Sequence, residues 1–208
     1  MANSLKSIGT PRRLLRDRRG ISSVEFALVC SLFFMLVLGV VDFSRAMWEW
    51  NAAAKATHWG VRYAIVNDMV SKKMAGFSGV LAGLDAGSSI DPSVVATDLG
   101  TDTFTCNNSG CNGNGDIATS FDAIAFDLIV AQMQMIYSRI GPENVVVEYR
   151  HVGLGFAGDP TSPDLHPLVT VSLRNMTFDF VTPGLSGIFT LSMPDYAASM
   201  TGEDLTSL

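Results

Sequence analysis

The feature that most restricts this 208-residue chain is a run of 16 uncharged residues, 26–41 (FALVCSLFFMLVLGVV). With 21–24 in front and Asp42 and Phe43 behind, a helix here reaches ~23 residues, and ~20 residues at 1.5 Å each cover the ~30 Å hydrocarbon core of a bilayer. No other segment is long and apolar enough. The sequence therefore predicts a leader at 1–20, a transmembrane helix at 21–44 and a head at 45–208.

Charge orients that span. Six of the 14 Lys and Arg residues crowd into the first 20 positions (Lys6, Arg12, Arg13, Arg16, Arg18, Arg19), against a single acid, Asp17. Basic flanks stay cytoplasmic, so the N-terminus is expected inside and everything after Asp42 outside. The chain beyond the leader holds 8 Lys and Arg against 19 Asp and Glu. Such acidity argues against nucleic acid and anionic headgroups as partners, and suits solubility, a cationic partner or divalent ions. Trp48 and Trp50 lie just past the outer end of the span. They fit either the headgroup layer or the cover of a folded head.

Glu25 does not suit a plain anchor. A carboxylate one turn into an apolar helix is costly and is retained mainly where it finds a partner. A cut between Gly20 and Ile21 would leave Ile21 with a free α-ammonium and Glu25 at the fifth mature position. The carboxylate could neutralise that ammonium, or the one on a neighbouring copy in a shifted register. Another cut is conceivable after Ala46, where Ser44-Arg45-Ala46 has small residues at the spacing of an ordinary signal peptidase site. It would release a soluble domain and leave Glu25 unexplained.

A basic leader, Gly20, an apolar helix with Glu25, and Phe26 after it together resemble the precursors of type IV pilins. More narrowly, the chain resembles the TadE-like pseudopilins of tight-adherence (Tad, Flp-type) pili. The resemblance rests on Val24-Glu25-Phe26-Ala27-Leu28, Gly39-Val40-Val41-Asp42-Phe43 with Arg45, Asn51-Ala52-Ala53, and Gly60-Val61-Arg62-Tyr63-Ala64. It covers roughly residues 18–64. Val61 stands where the family usually has Ala, and Ser31 where a mid-helix proline is frequent.

The resemblance implies a pilin-like α+β fold and a non-enzymatic role without a cofactor, in assembly or priming of a pilus used in surface adhesion. It implies cleavage by a membrane prepilin peptidase after Gly20, with Glu25 as the charge partner in assembly. Partners would be the major pilin, other minor pilins and the inner-membrane assembly platform. The chain would cross the inner membrane once with its head periplasmic, or enter the fibre.

Beyond the span the chain stays helix-compatible to about Lys72, and one helix over 21–72 is expected, its second half packed on the head. Met47, Trp50, Ala54, Val61 and Ile65 fall near one stripe, widened by Trp48, Ala52, Trp59 and Tyr63, with Glu49 and Lys55 elsewhere. Gly60 in mid-helix costs ~1 kcal/mol relative to Ala and points to close packing or a bend. Residues 74–119, rich in Gly, Ser, Thr, Asn and Asp, read as a long loop with one short helix or strand. A second helix is expected over 120–140, capped by Thr119 or Ser120, burying Phe121, Ile124, Leu128, Met135 and Ile136. Period-two patterning then predicts strands at 144–150 (NVVVEYR), 168–174 (LVTVSLR), 176–181 (MTFDFV) and 188–193, forming a small antiparallel sheet.

Cys30 lies in the membrane run and reads as a small apolar filler. Cys106 and Cys111 flank CNNSGC, and an oxidising compartment favours a local disulfide there. Zinc would need two further ligands, and no CxxC or paired His accompanies them. The sequence holds no HExxH, no GxSxG and no phosphate-binding loop, which leaves an anchored hydrolase without a motif. Asp85-Ala86-Gly87-Ser88-Ser89 departs from the DxSxS adhesion pattern. His58, His151 and His166 are scattered. Asp98, Asp102 and Asp116 could hold Ca²⁺ through clustered oxygens, without an EF-hand spacing. They motivate the alternative of a membrane-anchored binding protein with an acidic, ion-capturing loop. Asp42 and Arg45 are placed to pair at the outer membrane surface, contributing little if exposed, or to bind a neighbouring subunit.

Overall fold

The computed structural model describes residues 20–112, 121–160, 163–182 and 190–202. Its backbone element is helix α1, Ile21–Ala64, 44 residues long. The helix stops earlier than expected. Asn67 turns its side-chain amide onto the Tyr63 carbonyl at 2.8 Å, taking the place of a continuing backbone donor. Met69 and Val70, just beyond, are buried in the head. Lys72 begins a separate turn, α2 (Lys72–Ala75).

Among the described residues the lower half of α1 packs on nothing: none of its most apolar 18-residue window is buried. The upper half buries a face of Asp42, Glu49, Ala53, Ala56, Thr57, Gly60, Val61 and Ala64. Of the predicted stripe Val61 lies in this face, but Met47, Trp48, Trp50 and Trp59 stand outward, Trp48 at 65% exposure. Small side chains let a helix axis approach a sheet closely, so the face is chosen by size rather than by apolarity. Glu49, expected off the apolar stripe, is in that face.

The segment expected as loop holds regular structure. Helix α3 (Pro92–Leu99) is capped by Asp91, whose carboxylate accepts the Ser93 N–H at 2.8 Å, and ends at Gly100 with φ 81°. Strands β1 (Thr103–Asn107) and β2 (Gly110–Cys111) form a hairpin. The expected caps Thr119 and Ser120, like Asp116, lie outside the described residues. Helix α4 (Ala123–Gln134) is capped by Asp122, which accepts the N–H groups of Ile124 and Ala125. It buries Phe126, Ile129, Val130 and Met133, with Tyr137 buried just past its end. The predicted face is therefore rotated outward: Ile124 is 74% exposed, and Leu128, Met135 and Ile136 are exposed with it. In so apolar a helix the pattern does not single out one face.

Strands β3 (Val145–Arg150) and β4 (Leu168–Leu173) match expectation, and β5 (Thr177–Asp179) and β6 (Thr190–Ser192) are shorter versions of theirs. The last strand, β7 (Tyr196–Thr201), lies outside the predicted set, because Ala and Ser carry weak strand propensity. The main sheet is antiparallel in the order β2-β1-β3-β4-β7, whereas β5 and β6 form a separate two-stranded ribbon. Helices α1 and α4 pack together, and α1 lies against β4 and β7. The result is an α+β head on a long helical rod.

At the end of the head far from the rod, Asp164 is buried and gathers three N–H groups, from Gly79 at 2.7 Å and from Gly158 and Asp159 at 3.1 Å each. That pins the 77–90 segment to the 151–165 connection. His151 is buried beside it, Nε2 2.9 Å from the Ile90 carbonyl oxygen.

Candidate functional site

At its free end, α1 begins at Ile21 with Gly20 as its cap residue, φ −96°, and no side-chain cap. The described fold does not require a glycine there, because a Cβ on Gly20 would meet none of the described residues within 4 Å. Glu25 lies one turn above Ile21 on the same helical face and is exposed, as is Phe26. An N-terminus opened at Ile21 would bring an α-ammonium to the same end of the rod as this carboxylate.

Where rod meets head, the structure closes a chain of charges. Arg45 lies 3.3 Å from Asp42 and 3.5 Å from Glu49 through separate nitrogens. Its guanidinium also sits 5.3 Å from the centre of the Phe178 ring. Glu49 accepts a hydrogen bond from the Tyr137 hydroxyl at 2.9 Å and pairs with Arg139 at 2.8 Å. Arg139 continues to Asp179 of β5 at 3.2 Å. Asp42 accepts the backbone N–H groups of Val181 at 3.0 Å and Thr182 at 2.8 Å, and the Thr182 hydroxyl. The reading of Asp42 and Arg45 as an exposed pair is thus corrected, since Asp42 is only 2% exposed and Glu49 4%. A desolvated carboxylate persists only when its lone pairs are met, and here each has several donors. Burial, then Glu49, push the Tyr137 phenol up to about 12.

The remaining predicted residues are dispersed. Gly60 is where α1, α4 and β4 close up: a Cβ would come within 2.8 Å of Met133 Cγ and Sδ and 3.4 Å of Val171. Arg62 is exposed, and Tyr63 lines a shallow recess with Asn67 and Asp122. Cys106 and Cys111 form a disulfide across the β1–β2 hairpin, well away from the rod, and Cys30 is a free thiol on it. Asp102 accepts the Thr103 hydroxyl at 3.2 Å, and its own carbonyl takes the His151 N–H. Among the described residues, no three His, Cys, Asp or Glu side chains gather as a metal site would require.

Sequence reasoning missed Glu49, Tyr137, Arg139 and Thr182. For Glu49 a signal existed: it follows Asp42 by seven positions and Arg45 by four, on one helical face. For Tyr137, Arg139 and Thr182 none did, as only folding brings them within reach.

Residues 20–62 match the family model of TadE-like proteins. No curated protein and no solved structure matches the chain. The matched stretch is the rod with Gly20 before it and its last two residues left off, so it contains Glu25, Asp42, Arg45, Glu49 and Gly60 but none of the sheet. Over that helix, about a fifth of its length, the chain is similar to TadE-like proteins.

Proposed function

We propose that the protein is a non-enzymatic pseudopilin, or minor pilin, of a Tad-type pilus. The observation that carries this reading is Glu25 one turn past Gly20–Ile21, on the apolar lower half of a helix that packs on no other described residue there. The rod crosses the inner membrane once, N-terminus inside, with 1–20 as leader, 21–44 as the span and 45–208 as a periplasmic head. Prepilin peptidase cuts between Gly20 and Ile21, and the indifference of the fold to a side chain at position 20 fits a glycine kept for a protease. The new ammonium of one subunit then meets Glu25 of another, because an unpaired carboxylate is unfavourable in hydrocarbon and paired it is not. The rods of this chain, the major pilin and other minor pilins pack together on the assembly platform. The head primes or caps a fibre used in adhesion.

Sequencing the mature N-terminus from cells with and without the peptidase tests the cut. Ile21 is expected first only when the peptidase is present, and a mature protein beginning elsewhere would overturn the assignment. Glu25→Ala should leave cleavage intact and reduce piliation; normal piliation would remove the role given to the carboxylate. The alternative of an ion-binding acidic loop predicts calcium uptake by the full-length protein, measurable by calorimetry. Among the described residues no cluster of acidic side chains favours it.

A further inference from the structure

We infer that the β5–β6 ribbon is a second membrane contact, a foot on which the head rests in the headgroup layer around the rod. The inference depends on α1 being the proposed membrane span. Counted from Ile21, ~20 residues at 1.5 Å each use up the ~30 Å hydrocarbon core, which brings the outer boundary to the level of residues 40–43. Asp42 therefore sits at that boundary. Its carboxylate holds the backbone N–H groups of Val181 and Thr182 at 3.0 and 2.8 Å, so this part of the chain cannot stand far above it. The polar layer outside the hydrocarbon is roughly 5–7 Å deep on each side. A typical helix tilt of ~20° moves a group some 8 Å from the axis by only ~3 Å along the normal. The ribbon thus lies within the headgroup layer.

Its chemistry suits that depth. Asp42 is matched at this level by Arg45, and Glu49, about 10 Å further up the rod, is matched by Arg45 and Arg139, with Arg139 also meeting Asp179. The side chains left outward are mixed, apolar Val181 at 58% exposure and Leu191 at 47% beside the exposed polar Thr177, Asp179, Thr190 and Ser192, the mixture that a headgroup layer accepts. Phe178, opposite Leu191 in the ribbon, is buried under Arg45. Apolar contact with lipid, rather than attraction to anionic headgroups, is the interaction expected of a head that is acidic overall. Val181 and Thr182, just past β5, also keep lipid away from Asp42 by supplying its hydrogen-bond donors.

The test uses the full-length protein with Cys30→Ser, which leaves the Cys106–Cys111 disulfide intact, in phosphatidylcholine vesicles at about one copy each. A fluorophore is attached in turn through Leu191→Cys, Val181→Cys, Leu36→Cys in the rod, and Leu81→Cys at the far end of the head. Lipids carrying a spin label near the headgroup or deep in the acyl chain then quench it. All these positions are exposed, so labelling should not disturb the core. The deep label is expected to quench Leu36→Cys, the shallow label Leu191→Cys and Val181→Cys, and neither label Leu81→Cys. If positions 191 and 181 are as unquenched as 81 while 36 is quenched, the foot is overturned and the span survives. An unquenched position 36 overturns the span, and the foot with it.

Discussion

At the level of single residues, the decisive positions are those where a side chain's size or charge has no alternative neighbour. Gly60 is one. Gly60→Val drives a branched side chain into Met133 and Val171, and overpacking of this kind typically costs ~1–3 kcal/mol. Gly60→Ala should cost less, since better helix propensity returns up to ~1 kcal/mol. Urea unfolding of the detergent-solubilised protein would check both, and an unchanged midpoint for the valine variant would contradict the close approach. Tyr137 is another. Its pKa is raised in the fold, so its share of stability is complete below the ordinary value near 10 and is lost as pH rises through about 12. An absorbance titration at ~295 nm should show Tyr137 ionising late, and Glu49→Gln should bring that ionisation to lower pH by removing the adjacent negative charge.

Among the elements, α4 shows how capping and packing cooperate. Asp122 accepts two N–H groups of the first turn and pairs with Lys72 at 3.0 Å. The Lys72 contact first, and those N–H groups with it, hold its carboxyl below the usual aspartate range. That contribution is present above the unfolded pKa near 4 and is lost as pH falls through the lower folded value. Asp122→Ala should cost about 1 kcal/mol, with a range of roughly 0.5–2, in the same unfolding assay. It should also flatten the acid limb of stability against pH. The disulfide in β1–β2 acts more locally, because its loop is short and sits at the edge of the sheet, outside the α1–α4–β4 contact.

For the whole molecule, the question is what holds the head upright on its rod. The lower half of α1 is bare, so orientation rests on the upper half of the helix and on the Asp42–Arg45–Glu49–Arg139–Asp179 chain. Asp42→Ala would leave the N–H groups of Val181 and Thr182 without their acceptor and free the ribbon from the rod. Hydrogen exchange at those two amides should then accelerate strongly while exchange in β3 and β4 stays as slow as before. Equal acceleration across the sheet would mean instead that Asp42 supports the entire head.

The rod was legible in the amino-acid order because a long apolar helix is a matter of length and polarity, both local quantities, and the Glu25 spacing is read within one turn. The strands β3 and β4 were legible for the same reason, their alternation being a period of two over six residues. The face that α1 buries was not. Its partners are a helix and two strands far along the chain, and their closeness selects small residues over the tryptophans a hydrophobicity pattern would choose. The junction was legible least of all. Glu49 and Arg139 stand 90 positions apart, and Asp42 and Thr182 stand 140 apart, so no local spacing relates them. Each of these acids becomes tolerable in a buried place only through a donor that tertiary folding delivers.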